Sequence, residues 1–599
     1  MIMNKVFLIR NAKILILFAG VMGYSLQLYP VFREEPVQPV KKDIIFLSSP
    51  ELEGRKSGEK GDTLAALYIR ERLKESGLDL LFSEGFQPFS LVAGVSLGDK
   101  NHLSFNKTEF KVNTDFLPYS FSSVNACTGE VVFAGYGFDI QSDSLNWNDY
   151  EGIDVKGKWI LMLKGDPEIS EAESKFAPFS DVRTKVLTAI DHTASGIILT
   201  GGPAFSEKDQ LENLFYDRNS SIYKIPVIQI SRAAANQILA AENTSVELLE
   251  KLLNETRRPF SFRIPGILRG QADVVQKTVH SNNIAGILPG YDPLLRDEFV
   301  VVGAHYDHLG YGGPGSGSRA TDTLAVHPGA DDNASGVAAI LELARRFSKQ
   351  RNNRRSLVFV VFGAEETGLI GSRAFVEESP VDLRKTTAML NFDMVGRLDT
   401  LTKSLSIGGT GTSLEAEEIL TRINKVFSLA FSVEGTGPSD HASFYMKDIP
   451  VLFFSTGSHQ EYHTPGDNAE RINFQGLDHI VEYAFAVISE IACRDQSLTF
   501  REAGTKYRSS RGGRFKVTLG IMPDYAGVEK RGLRIDAVTK GKPADQAGLK
   551  KGDIITAIDG KSVANIYDYM NRLKNFSEGQ TIAVDIIRQD KQLSLIVRL

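Results

Sequence analysis

The stretch VVFGAEETGLIGSRAF, residues 360–375, ends an apolar run on two adjacent glutamates, Glu365 and Glu366. Charged residues are rarely buried without a partner, and adjacent like charges repel. The run leading into them, SLVFVVFGA from Ser356, is almost continuously apolar, as expected of a strand covered on both faces. Three further runs read the same way: FVVVGAH (299–305), TAMLNFD (387–393) and IPVLFFS (449–455). Apolar residues at helical spacing follow in ASGVAAILELARRFSKQ (334–350) and GLDHIVEYAFAVISEIA (476–492). Strands alternating with helices from Asn282 to about Asp495 predict an α/β unit with a mixed, largely parallel central sheet flanked by helices.

The ends of those strands carry the chemistry. FVVVGAH leads into His305 and Asp307, HPGADDNASG sets Asp331 and Asp332 before a helix, MLNFD ends in Asp393, and QEYHTPGD holds His463. Ligands of open α/β sheets bind beyond the carboxyl ends of the strands. Five separate stretches can therefore deliver carboxylates and imidazoles to one crevice. That many acids stay ionised together only beside a cation, and His/Asp/Glu ligation without cysteine suits a catalytic zinc site.

The motifs HYD, GADDNASG, GAEETGLIGSRAF, NFDMVG and YHTPGD, in this order, resemble peptidase family M28, co-catalytic zinc metallopeptidases that are chiefly aminopeptidases. The resemblance covers roughly 43–117 and 265–495. Residues 118–264, with short strands in TGEVVFAGYGFD and VKGKWILMLKGDP, resemble the β-rich protease-associated (PA) domain inserted in this family. The last unit resembles a PDZ domain, with VTLGIM like the carboxylate-binding loop and GKPADQAGLKKGDIITAIDG following. The implied organisation is 1–25 signal peptide or anchor, 26–117 and 265–498 peptidase, 118–264 PA insertion, 499–514 linker and 515–599 PDZ.

Carried onto this chain, the resemblance implies two zinc ions bridged by Asp332. His305 and Asp393 would complete one ion, and Glu366 and His463 the other. Asp307 matches a carboxylate that fixes the His305 imidazole. Glu365 matches the general base that takes a proton from the attacking water and passes it to the leaving amine. Tyr462 matches a phenolic donor. The opening pair then divides its labour: Glu365 handles the proton, and Glu366 holds the metal that lets both stay ionised. Ser439, Asp440 and His441 belong to a segment resembling the pocket wall, where substrate contact competes with local loop bonding. In the PDZ unit, the N–H groups of Leu519, Gly520 and Ile521 would hold the C-terminus of a protein or substrate. The competing reading is a rigid appendage.

At 599 residues the chain should divide into three or four units, and 42% hydrophobic with 24% charged residues is ordinary globular material. A net charge of −6 offers no footprint for nucleic acid. Lys5, Arg10 and Lys13 precede ILILFAGVM, a basic then apolar export signal with Gly23 and Ser25 at the cleavage region. This predicts a periplasmic or extracellular protein, or one held on the membrane if the segment is retained to Phe32. Cys127 and Cys493 show no CxxC spacing and read as two buried thiols. The loop GYGGPGSGSR (310–319) lacks a P-loop's GK[ST] and reads as a loop over the site. His308, one residue past Asp307, is expected on a surface loop, with the pocket lining as the alternative, His327 is expected at the rim, and His102, His192, His280, His459 and His479 are assigned no role. Two other readings share the fold. One is a carboxypeptidase for acidic C-termini, needing Arg319, Arg373 or Arg397 in the pocket. The other is an inactive binding protein, against which the intact ligand set argues. A one-zinc glutaminyl cyclase is more distant.

Overall fold

The four apolar runs become neighbouring strands. We label the peptidase elements β1 (Val274–Leu288), β2 (Phe299–His305), β3 (Ser356–Phe362), β4 (Thr386–Phe392), β5 (Val451–Ser455), α1 (Gly336–Gln350) and α2 (Phe474–Cys493). They come from a computed structural model that describes Pro39–Leu599 apart from 143–144, 172–173, 217–221, 314, 321, 504–516, 524–528, 530, 540, 565, 574 and 578. Strands β3, β2, β4 and β5 lie side by side and all parallel. Every residue of β3 and β4 is buried, as two-sided cover requires. β1 lies antiparallel beside β3 and pairs with Asp79–Leu80 and Phe86–Leu97, while Ser404–Gly408 lies antiparallel beside β5 and parallel to Ser428–Phe431, making nine strands among the described residues. The sheet is mixed with a parallel centre, as expected.

Helix α1 turns Val337, Ile340, Leu341, Leu343, Ala344 and Phe347 into the core, and α2 adds Leu477, Ile480, Val481, Ala484, Val487, Ile488 and Ile491. Each such large apolar side chain contributes about 1.5–3 kcal/mol by leaving water. Val301, Val358, Val360, Phe362 and Met389 fill the opposite face of the sheet. The stretch from Asp43 to about Leu81 reads in sequence as a polar loop and then an amphipathic helix; the helix is Lys60–Glu75, but Pro39–Leu47 is helical too, its Val40, Ile44 and Leu47 forming a stripe that faces the core.

A second sheet has eight strands and spans 102–271, wider than the expected 118–264 at both ends. His102–Phe105 and Phe116–Pro118 pair into it, and Ser261–Gln271 runs past the expected boundary. Trp159 lies fully buried in its centre. The C-terminal unit is a six-stranded sheet over a core of Leu519, Ile521, Leu533, Ile535, Ile555, Val584, Ile586 and Val597. The stretch 1–25, expected to be a signal peptide or anchor, lies outside the described residues, as does most of the expected linker 499–514. No described helix is long and apolar enough to cross a membrane. Cys127 and Cys493 are unpaired and half-buried, not buried as expected.

Candidate metal centre and active site

Parallel strands end at one edge, and that edge collects the acids. His305 is the last residue of β2, and Asp393 follows β4. Glu365 and Glu366 sit in the turn after β3, Asp332 in the turn opening α1, and His463 in the loop after β5. Three non-glycine residues here take left-handed backbone: Ala364 (φ 55°), Met394 (φ 56°) and His463 (φ 57°). Such conformations cost roughly 1–3 kcal/mol each and persist where surrounding structure enforces them. Each is a site residue or directly adjoins one.

Asp332 is the hub. Its Oδ1 lies 3.4 Å from His305 Nε2, which is also 3.4 Å from Asp393 Oδ1. Its Oδ2 lies 3.2 Å from His463 Nε2, which is 3.3 Å from Glu366 Oε2. One carboxylate thus faces two separate donor sets, one through each oxygen. His308 joins the second set, with Nδ1 2.8 Å from Glu366 Oε1 and 3.9 Å from Asp332 Oδ2. The expected surface position for His308 is therefore corrected: the side chain is buried against the acids.

Both outer imidazoles are aimed the same way. His305 Nδ1 lies 3.2 Å from the Asp307 carbonyl oxygen, and His463 Nδ1 lies 3.0 Å from that of Gly317. An Nδ1–H donated to a carbonyl leaves the Nε2 lone pair pointing inward, the orientation a metal ligand needs. The Asp307 side chain works elsewhere. Its Oδ1 is 3.8 Å from His305 Nδ1 but accepts from the Glu365 N–H at 2.9 Å. Its Oδ2 accepts from the Glu366 N–H at 3.3 Å and from Ser57 Oγ at 2.9 Å. Asp307 thus pins the Glu365–Glu366 turn, while its backbone orients His305.

Two further supports carry no obvious local signal. Asp467, inside the YHTPGD motif, accepts the N–H groups of Asp331 and Asp332 at 3.0 Å through Oδ2. Arg55, fully buried, donates to the carbonyls of Leu47, Tyr306, Pro328 and Gly329. It ties together the segments preceding Asp307 and Asp332.

Charge in this crevice is mutually dependent. Burial pushes Glu365 well above the carboxylate range; His305 opposes this, and Glu366, Asp440 and Asp393 reinforce it. Burial also works against Asp332, but His308, His305 and His463 hold it well below its usual value. Glu366 falls to about 2, with burial and Asp332 outweighed by His308 and His463. His463 rises to about 10, as Asp332 and Glu366 overcome burial. The donor set fits zinc: it is imidazole and carboxylate throughout, and two groups, His305/Asp332/Asp393 and His308/Asp332/Glu366, each bring their donor atoms within 4.8 Å of one another. The nearby buried guanidinium of Arg55 is committed to carbonyls and does not neutralise these acids directly.

Residues 283–488 match the family model for peptidase family M28, and 514–599 match that for the PDZ domain. The chain carries an M28 peptidase domain. It is 32% identical over 219 residues to a protein named "Probable leucine aminopeptidase" from Arthroderma otae, covering 34% of this chain and 55% of that one. It is 28% identical over 225 residues to aminopeptidase YwaD of Bacillus subtilis, covering 36% and 46%. The chain thus spans about half the length of these curated relatives. Among solved structures, the aminopeptidase from Aneurinibacillus sp. strain AM-1 aligns with a TM-score of 0.45 at 23% identity, covering 77% of this chain and 95% of that one.

A cleft of about 840 Å³ opens from this candidate metal site, lined at that end by Glu365, Glu366, Tyr462 and His463. Tyr462 stacks on His463 with ring centroids 3.9 Å apart. Thr436–Pro438 and Ala442–Ser443 form part of its wall, whereas Ser439, Asp440 and His441 between them are buried behind it. Ser439 Oγ accepts from Asn391 Nδ2 at 2.8 Å, and His441 stacks on Phe453 at 4.5 Å. Two further histidines make contacts nearby, His327 buried and His459 half-buried. His327 is bonded to Ser318 Oγ at 2.8 Å, bracing the glycine-rich loop instead of lying at the rim. His459 Nε2 lies 3.2 Å from Asp331 Oδ2. In the PDZ loop, Leu519 and Ile521 are buried, and the Gly520 N–H is already donated to Thr518 Oγ1 at 3.0 Å.

Proposed function

We propose that this protein is an exported aminopeptidase with two zinc ions, hydrolysing N-terminal residues from peptides. Asp332 carries the reading, because each of its oxygens faces its own imidazole and carboxylate. His305 and Asp393 would hold one ion and Glu366 and His463 the other, with His308 Nδ1 bonded to Glu366. Zinc bound there supplies Lewis acidity, which acidifies water and polarises a carbonyl. Glu365 accepts the proton of the attacking water on its carboxylate and returns it to the leaving amine. Asp307 keeps that carboxylate in place through the Glu365 N–H. Tyr462 donates its phenolic O–H toward the developing oxyanion, as an ordinary phenol stays protonated at neutral pH. The names of the curated relatives, both aminopeptidases, support the same chemistry.

The eight-stranded unit fits the PA insertion and shapes access to the cleft. Export rests on Lys5, Arg10, Lys13 and the apolar run 14–22. Among the arginines a carboxypeptidase would need, Arg373 lines the cleft, whereas Arg319 approaches the Gln460 and Tyr462 carbonyls and Arg397 pairs with Glu461. The test is residue release from free and N-blocked peptides by the zinc-loaded protein, with and without chelator. Release of N-terminal residues that stops with chelator is expected. Release only of C-terminal residues, or turnover that survives complete metal removal, sinks the reading.

A further inference from the structure

The cleft's volume of about 840 Å³ lies toward the top of the usual range for ligand sites, about 300–1,000 Å³. One amino-acid side chain at the metal end leaves most of it for whatever follows the cleaved bond. That remote part has two owners. Lys447 comes from the M28 domain, and Arg534 and Lys551 from the PDZ unit, while Arg373, also on the cleft wall, turns its guanidinium back onto the Gly368 carbonyl. A single carboxylate, Glu377, lines the same part, its Oε1 3.1 Å from Arg534 Nη2. Apolar Leu369, Ile370, Val376, Met446 and Ile535 complete the walls. Glu377 ends the helix Ile370–Glu377, which starts four residues past Glu366, so Arg534 stands a helix length from the acidic centre, in a chain whose net charge is −6. Clefts lined by one sign of charge with low-dielectric walls focus the field on the opposite sign.

Resting on the aminopeptidase reading, we propose that the cleft selects short peptides by a carboxylate a few residues beyond the cleaved bond. Lys447 and Lys551, with Arg534, hold that carboxylate. It belongs either to the peptide's own C-terminus or to an acidic side chain. The PDZ unit is then a wall of the substrate site, and peptide length is read by how far the carboxylate lies from the metals. A peptide ending in a neutral amide offers this end of the cleft nothing to bind.

The experiment uses full-length, zinc-loaded protein and three tetrapeptides with the same first two residues: a free acid, its C-terminal amide, and the amide with Glu at the last position. N-terminal residue release should favour both carboxylate-bearing peptides over the plain amide by about 3- to 30-fold in kcat/KM, mainly through KM. An advantage for the free acid alone assigns the C-terminus as the group read, and one for the Glu amide alone assigns the side chain. The preference should shrink at about 1 M salt, where the Debye length falls to about 3 Å. The double substitution Lys447→Gln with Lys551→Gln should bring the three peptides together, with zinc content and thermal melting matching the parent. Lys551→Glu should improve turnover of a peptide amide with Lys at the last position, a gain that misfolding does not produce. Equal kcat/KM for the three peptides in the parent protein overturns the inference, as does discrimination that survives both variants. If N-blocked peptides lose C-terminal residues while no N-terminal residue is released, the aminopeptidase reading itself has failed and this inference falls with it.

Discussion

Glu365→Gln separates the two neighbouring glutamates most sharply. Gln keeps the shape of the side chain, so the buried position after β3 opens no cavity, and the Glu365 N–H stays on Asp307 at 2.9 Å. What disappears is the proton acceptor. The donor atoms around Asp332 remain, because Glu365 belongs to neither of the two groups whose atoms converge. A positioned general base is worth about 10²–10⁴-fold in rate. At about 1.36 kcal/mol per tenfold, the barrier should rise by roughly 2.7–5.5 kcal/mol. KM should change little, since the substrate meets the same cleft. Glu366→Gln should behave otherwise: it takes a charge from the group containing Asp332, weakens that zinc site, and leaves an activity that excess zinc partly restores. Steady-state kinetics on an aminoacyl amide, paired with zinc content by mass spectrometry, reads both. If Glu365→Gln loses zinc while Glu366→Gln keeps it and is merely slow, the two roles are reversed. If both variants keep full activity, this crevice is not the active site.

Two further outcomes test the frame around the site. Arg55→Met should strand the carbonyls of Tyr306, Pro328 and Gly329, cost roughly 3 kcal/mol or more in chemical denaturation, and weaken zinc binding; unchanged stability and metal affinity would contradict the tie. Lys185, buried in the eight-stranded unit and donating to the Leu163 and Gly165 carbonyls, is lowered from 10.5 to about 7 by burial, against the pull of Asp149. Between those two values the unfolded chain holds the proton and the folded one does not, so Lys185 makes stability rise with pH across that window. Lys185→Met should flatten that rise in denaturation curves taken across pH, and an unaltered slope would refute it.

The parallel strands were legible because two-sided burial leaves nearly unbroken apolar runs, and the observed boundaries of β2 to β5 fall within two residues of those runs. The acids at their ends were legible because the strands share one carboxyl edge. His308 was not. Its loop is held inward by backbone bonds from the His308 N–H to the Arg55 carbonyl at 3.2 Å and from Gly310 to Gly54 at 3.1 Å, pairings too distant for any local window to show. The work of the Asp307 carboxylate was hidden for the same reason, since its partners sit in the turn after β3. The PDZ wall of the cleft is equally tertiary. Arg572 meets Asp191 across units, with Nη2 2.8 Å from Oδ1, and Asn571 Nδ2 lies 3.2 Å from Thr184 Oγ1. Neither contact is written in the local pattern of either segment.

The central claim is that Asp332 serves two metal sites at once, and metal stoichiometry tests it directly. Zinc per chain should be measured by mass spectrometry in the parent protein and in Asp332→Ala, after dialysis against a weak chelator, with folding followed by circular dichroism. About two zinc ions should remain in the parent, as a co-catalytic site requires. A folded Asp332→Ala should retain neither, because both donor sets lose the carboxylate they share. Two tightly held ions in that variant would contradict the account, and so would a parent that never holds more than one.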